Sequence, residues 1–179
     1  MQAVTETVPK NPMREIRLAK VVVHISVGKS GDMLEKAKRV LQDITNQKPC
    51  TRQAKRTVKE FGIREGEPIA CLTTLRGEKA AAFLKRGFEA VSNTLKRSNF
   101  DENGNFAFGI KEHIEIPGTK YVPELGIFGM DVIGTLERPG FRIKRRRIRP
   151  SHVGKRQRVT KDDAVSFLTQ KFSIQVGGA

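Results

Sequence analysis

The sequence predicts one domain of mixed strands and helices, and the faces of its segments suit an antiparallel sheet covered by helices on one side. Three observations carry this. Segments 16–27, 106–116 and 130–137 place apolar residues at every second position, as half-buried strands do. Segments 33–44 and 81–95 place them at three- and four-residue steps, as a helix with one apolar stripe does. The second face of the first strand is mixed, which is what a sheet covered on one side leaves open to water or to a ligand. A chain of 179 residues that is 37% hydrophobic can bury a real but modest core.

In chain order, residues 1–12 mix Thr, Glu, Gln and Pro without periodicity and read as a flexible leader, with a single domain expected over 13–179. The first strand puts Val21, Val23, Ile25 and Val27 on one face and Lys20, Val22, His24 and Ser26 on the other. After Gly28-Lys29-Ser30-Gly31 comes a helix with Met33, Ala37, Val40, Leu41 and Ile44 on its stripe and Asp32 or Ser30 as its cap. Gln47-Lys48-Pro49 ends that helix, because proline has no amide donor and disfavours helix in the residue before it. A basic connection follows, in which Arg52, Lys55, Arg56 and Lys59 are mixed with Thr and Gln, and only Phe61 and Ile63 could anchor it before Gly66. That composition is a poor core and a good polyanion-facing loop.

From 69 to 76, Ile69, Cys71 and Leu75 face one way while Ala70, Leu72, Thr74 and Arg76 face the other. Gly77 turns this strand into a helix whose stripe runs through Ala81, Leu84, Phe88, Val91 and Leu95. A turn-rich stretch at 98–105 leads to a strand with Phe106, Phe108, Ile110, Ile114 and Ile116 on one parity and Lys111, His113 and Glu115 on the other. The next strand sets Met130, Val132 and Leu136 against Asp131, Ile133, Thr135 and Glu137, and Arg138-Pro139-Gly140 stops it. Beyond it, Phe141, Ile143, Ile148 and Val153 are too sparse for a core, so an extended arm or long loop is expected. Thr160 and Asp163 then form a capping-box pattern ahead of a closing helix with Ala164, Val165, Leu168 and Phe172 on its apolar side.

The charge points to a phosphate-rich partner. Thirty-four Lys and Arg against 19 Asp and Glu give a net +15, and the basic arm at 138–161, with eleven basic residues and no acidic one, supplies most of that excess. An ordinary solvated face mixes both signs, and this one has no acids to mix. Arginine outnumbers lysine there, which suits bidentate phosphate contacts and stacking on bases, so Arg142, Lys144, Arg145, Arg146, Arg147, Arg149, Lys155, Arg156 and Arg158 are read as a general RNA-binding arm. A membrane surface fits less well, because the segment lacks an apolar face to anchor it. With no helix-turn-helix, zinc finger or zipper pattern, RNA is favoured over duplex DNA.

Catalysis and cofactors find little support. Strand, Gly-Lys-Ser, helix resembles a phosphate-binding loop, but the glycine that pattern needs at its start is Val23, inside the strand, so the turn is read as one that starts a helix. His24, His113 and His152 stand on separate elements with no ligand partner at metal spacing, and no metal or cofactor is expected. Cys50 and Cys71 cannot build a disulfide framework, no apolar run is long enough to cross a bilayer, and a cytosolic, soluble protein is expected. An enzyme and a regulatory messenger-binding module are the alternatives to a structural RNA-binding protein.

The blocks TNQKPCTRQAK, FGIREGEPI, LTTLRGEKAAAFLKR, NFAFGIKEHIEI and GMDVIGTLERPGF resemble, in order, those of the universal large-subunit ribosomal protein number five, the 5S-rRNA-binding family of the central protuberance. The resemblance covers residues 13–176, and the Arg-Pro-Gly-Phe continuation with its basic arm is similar to the archaeal and eukaryotic branch, whose eukaryotic member is numbered eleven. It implies an α+β fold with an antiparallel sheet, helices packed on one face, a protruding loop and a basic C-terminal arm. It implies a non-enzymatic constituent of the large ribosomal subunit in the cytoplasm. The 5S rRNA contacts would fall at His24, where the family most often has asparagine, and at Ser26, Gly28, Asn46, Gln47, Lys48, Thr74 and Arg76. The loop at 55–65, with Lys55, Arg56, Thr57, Lys59, Phe61, Gly62 and Arg64, is similar to the one that approaches the peptidyl-site tRNA. Large-subunit rRNA, neighbouring proteins of the central protuberance and a protein of the small-subunit head complete the implied partners.

Overall fold

Val21, Val23 and Ile25 are fully buried along the central strand, β1 (Arg17–Ser26), of the computed structural model, which describes residues 11–177. The other elements in order are α1 (Asp32–Thr45), β2 (Cys50–Gln53), β3 (Pro68–Leu75), α2 (Gly77–Ala90), β4 (Thr94–Lys96), β5 (Asn105–Ile110), β6 (Met130–Glu137), α3 (Arg142–Arg145), α4 (Lys161–Phe172) and β7 (Gln175–Gly177). Five strands form one sheet in the order β2-β3-β1-β6-β5, every neighbouring pair antiparallel, and β4 pairs with β7 in parallel to make a second, two-stranded sheet. The α+β architecture expected from the sequence is therefore what the chain forms. The leader expected over 1–12 lies outside the described residues except at its end, where Asn11 Oδ1 accepts the Met13 amide and starts a single tight turn.

One face of the large sheet carries the core. Val21, Val23, Ile25, Cys71, Leu75, Val132, Leu136, Phe106 and Phe108 pack there against Leu34, Ala37, Val40, Leu41 and Ile44 of α1, Ala80, Phe83, Leu84 and Phe88 of α2, and Ala164 and Leu168 of α4. Phe88 is a hub, with ring centroids 5.1 Å from Phe108 and 5.5 Å from Phe172. The capping box read at α4 is present: the Asp163 amide donates to Thr160 Oγ1 while the Thr160 amide donates to the Asp163 carboxylate.

The structure corrects the sequence reading at five places. On α1 the first-turn core residue is Leu34, while Met33 is 53% exposed, and the cap is Gly31, whose φ of 103° no side chain adopts easily. The basic connection after Pro49 begins with an edge strand, β2, paired to β3 through Thr51 opposite Cys71. The stripe through Val91 and Leu95 overruns its helix. Ser92 and Asn93 take left-handed φ values of 55° and 54°, the Asn93 amide closes back on Phe88 O at 2.8 Å, and Leu95 reaches the core from β4 instead. The strand expected over 106–116 stops at Ile110; a 3₁₀ turn, His113–Glu115, follows, and Ile116 is buried from there. The lone His113 is itself buried, with Nδ1 accepting the Phe128 amide, and burial pushes its pKa down.

The basic arm, expected to extend, does not. After one helical turn, α3, it doubles back: the Ser151 amide donates to Ile143 O, Gln157 Nε2 donates to Met13 O and Pro139 O, and Val153 and Val159 are buried. Two ion pairs fasten it, Arg138 with Asp163 at 2.9 Å and Arg145 with Glu137. One acid precedes the run and the other follows it, so composition within the run could not reveal the fold-back.

Gly134 sits opposite Phe106 in the β5–β6 ladder, and a Cβ there would run into the Phe106 ring, which is 1% exposed and has nowhere to go. Gly134→Ala should therefore destabilise the fold by about 1–3 kcal/mol in chemical denaturation. A neutral or stabilising effect would contradict this packing of β5 on β6.

Candidate nucleic-acid interface

The strand register assembles the uncovered face row by row. Cys50, Leu72, His24, Asp131 and Gly109 stand directly opposite one another across β2, β3, β1, β6 and β5, and Thr74, Val22, Ile133 and Ala107 form the next row. Lys20 lies opposite Thr135 beyond them, and Arg52 and Ser26 flank Ala70 at the other end. The centre is an apolar patch of Val22, Leu72 and Ile133, rimmed by polar and basic groups. No helix of the described residues covers it.

The residues expected at 5S rRNA divide between this face and its two ends. His24 and Thr74 are near neighbours on the open face, with Thr74 one row along. At the Thr74 end, Gln47 Nε2 donates to Thr74 O at 3.3 Å, which brings the end of α1 to the sheet. Asn46 caps α1 in a left-handed conformation, φ 50°, and Lys48 is exposed beside it. Arg76 is the extended, exposed residue between β3 and α2, and its side chain makes no hydrogen bond within the described residues. Ser26 and Gly28 lie at the other end, where the Gly28 amide donates to Ile69 O. So Gln47, Thr74 and Arg76 gather at one end, Ser26 and Gly28 lie at the other, and His24 stands one row from each.

Asp131 was not expected here. Its carboxylate is 3.8 Å from His24 Nδ1 on the open face, so His24 is presented beside an acid. The sequence places both residues on mixed faces, but only the register puts them together.

The loop at 55–65 projects beyond the Ser26 end of the sheet, at the opposite end of the β2–β3 hairpin from Gln47 and Thr74. Its Lys55, Arg56, Thr57, Lys59, Phe61, Gly62 and Arg64 are all exposed, Phe61 by 70%. It is nevertheless an ordered hairpin. Val58 and Ile63 exchange amide hydrogen bonds at 2.9 and 3.1 Å, Gly62 closes a tight turn at φ 67°, and Thr57 Oγ1 accepts the Glu65 amide. Glu67 holds the base: one carboxylate oxygen accepts the Ser30 hydroxyl at 2.5 Å and the other accepts the Arg64 amide at 3.0 Å. The Ser30 bond and then the Arg64 amide lower the Glu67 pKa. Ser30 of the Gly-Lys-Ser-Gly turn thus ties two loops together, which fits the reading that this turn is not a phosphate cradle.

The arm folds back against the β5–β6 end of the sheet, where its residues share a cleft with Asn105, Thr135 and Glu137. Arg145 is paired with Glu137, Arg146 Nε donates to Arg149 O and Arg158 Nε donates to Val153 O. Arg142, Lys144, Arg147, Arg149, Lys155 and Arg156 are exposed, with no ion pair among the described residues. Of the cysteines, Cys50 is exposed on the open face and Cys71 is buried on the covered one, where desolvation pushes its thiol up to about 11.

A basic α+β domain with one sheet face uncovered, a cationic hairpin at one end and a cationic arm along one side belongs to the class of proteins built to lie against a polyanion. Residues 11–64 match the family model for ribosomal protein L5, and residues 68–172 match the model for the C-terminus of the same ribosomal family. The large ribosomal subunit protein uL5 of Sulfurisphaera tokodaii is 53% identical over 172 residues, 96% of this chain and 97% of that relative. Those of Aeropyrum pernix and Methanoregula boonei are 52% and 47% identical, covering 92% of this chain in each case and 86% and 99% of the relative. The chain belongs to the ribosomal protein L5 family, in its archaeal form. Members of this family are structural proteins and not enzymes, as the sequence led us to expect.

The Glu67 tie gives a pH-dependent loop. A carboxylate whose folded pKa is depressed contributes ordering above its ordinary value of 4.5, and the contribution is lost as pH falls through the lowered value. The protection of the Arg64 and Glu65 amides, taken relative to the intrinsic exchange rate at each pH, should fall below that point, and Glu67→Ala should show the same loss of protection at neutral pH with little change in melting temperature. Unchanged exchange in the variant would refute the tie.

Proposed function

We propose that this structural constituent of the large ribosomal subunit binds 5S rRNA in the central protuberance through the open face and the Asn46–Lys48 corner. The arm contacts large-subunit rRNA, and the 55–65 hairpin reaches the peptidyl-site tRNA. Neighbouring ribosomal proteins and a protein of the small-subunit head are its protein partners, and the ribosome, in the cytoplasm, is its place. The observation that carries the reading is the junction of Gln47 with Thr74 beside His24, a rigid polar corner that presents side chains of fixed geometry to a folded RNA. Support for three separate RNA contacts comes from the separation of the basic surfaces: the hairpin and the corner sit at opposite ends of β3, and the arm along the β6 side.

Salt and substitution separate these surfaces. If about six phosphates are neutralised, the logarithm of 5S rRNA affinity should fall with the logarithm of salt at a slope of about −4 to −5. Arg76→Ala should cost about 1–3 kcal/mol for 5S rRNA and much less for a random RNA of equal length, with unchanged thermal stability because the side chain holds nothing in place. Replacing Arg146, Arg147 and Arg149 by alanine should weaken all RNAs together and flatten the slope. Equal losses for specific and random RNA in the Arg76 variant would show that the corner carries no specificity.

The hairpin is tested separately. Lys55→Ala, Arg56→Ala and Lys59→Ala combined should leave melting temperature and 5S rRNA affinity nearly intact, because these side chains are exposed and outside the core. Ribosomes carrying the variant should assemble and hold peptidyl-site tRNA less well. Lost 5S affinity with unchanged tRNA occupancy would place the hairpin on 5S rRNA instead.

A further inference from the structure

Where the arm folds back over the β5–β6 end of the open face it leaves a cleft of about 470 Å³, within the size range of small-ligand sites, about 300–1,000 Å³. Its walls are chemically unlike the rest of the basic surface. The sheet side contributes Asn103, Asn105, Thr135 and Glu137, and the arm side contributes Phe141, Lys144, His152 and Arg158. We propose that this cleft takes one unpaired nucleotide of the bound RNA, the base entering between the asparagines and Phe141 and its phosphate meeting Lys144 and Arg158. The inference rests on the RNA-binding reading and names the ligand chemistry of one part of that surface.

Asp101 supplies the reason for a base. Its carboxylate accepts from Asn105 Nδ2 at 3.1 Å and from Asn103 Nδ2 at 3.4 Å, and these two bonds, first Asn105 and then Asn103, lower its pKa. A carboxylate can only accept, so both amides are turned with nitrogen toward Asp101, and each carbonyl oxygen is left as an acceptor. An acceptor turned this way, best held on the less exposed Asn105, beside a half-buried aromatic ring matches a base edge that offers an imino N–H and a face that stacks. A bare phosphate has no use for it.

The cations are held for the other half of the ligand. Arg158 donates Nε to Val153 O and keeps its terminal nitrogens free, whereas Arg145 is already neutralised by Glu137. Lys144 is exposed with no ion pair among the described residues. Acceptors on one wall and free cations on the other give the cleft a polarity along which a nucleotide monophosphate lies in one direction.

The test is an NMR titration of the full-length protein with UMP, with the monophosphate of 3-methyluridine, which lacks the imino proton, and with inorganic phosphate. UMP should shift the side-chain amides of Asn103 and Asn105 saturably. The methylated analogue should bind about fivefold more weakly, the size of one lost hydrogen bond, and phosphate should move the arm but not the asparagines. Asn105→Ala should abolish the difference between UMP and its analogue; Asp101→Ala, at an exposed turn, releases the same Asn105 amide and should narrow that difference should the first variant unfold. Identical shifts from UMP and phosphate, or no response at the asparagines, would overturn the nucleotide site. Binding of structured RNA measured on the same samples separates the outcomes, since its retention leaves the RNA-binding reading intact and its loss removes both.

Discussion

The sheet has two faces and the chain has enough apolar residues for one. Val21, Val23, Ile25, Cys71, Leu75, Val132 and Leu136 all point to the side where α1, α2 and α4 lie. Because side chains alternate strictly along a strand, committing these residues to the helices commits His24, Thr74, Asp131 and Ile133 to the opposite side. The exposed face is thus a consequence of core formation, and its side chains stand on strands whose other surface is packed. A platform backed by a packed core follows.

The basic surfaces need different support, since neither hairpin nor arm has much core of its own. The hairpin is fixed by backbone pairing of Val58 with Ile63 and by Glu67, whose two oxygens hold Ser30 and Arg64. The arm is fixed by acids borrowed from β6 and α4, Glu137 and Asp163, and by Gln157 reaching two carbonyls. In each case a few acids restrain a basic excursion and leave most of its cations free. Surface ion pairs of this kind contribute little stability, about 0–1 kcal/mol, so their role is to set direction. The Arg138–Asp163 pair is the more enclosed, with Arg138 at 14% side-chain exposure, and it joins the start of the arm to the cap of α4.

Much of this was legible in the sequence, for reasons that differ by element. β1 and β6 were read correctly because only a half-buried strand sustains period-two alternation over eight or more residues. The α4 capping box was readable because both partners lie three residues apart. Leu95 and Ile116 were misassigned because periodicity records burial and not the path: both are buried, but after a left-handed pair and a 3₁₀ turn that no apolar pattern marks. The Gln47–Thr74 contact, the His24–Asp131 pair and the Asp101-oriented asparagines depend on register or turn geometry. The fold of the arm was hidden because its anchors lie outside it.

If RNA lies against the uncovered face, the two sides of the sheet must respond differently to its arrival. Hydroxyl-radical footprinting of the protein with and without 5S rRNA tests this directly, since both sides carry oxidisable side chains of comparable type. Leu72, His24 and Ile133 on the open face should be protected by the RNA, while Phe167 and Phe172 of α4 on the helix side keep their reactivity. Protection of the α4 phenylalanines with Leu72, His24 and Ile133 unchanged would put the RNA on the helix side and contradict an open-face interface.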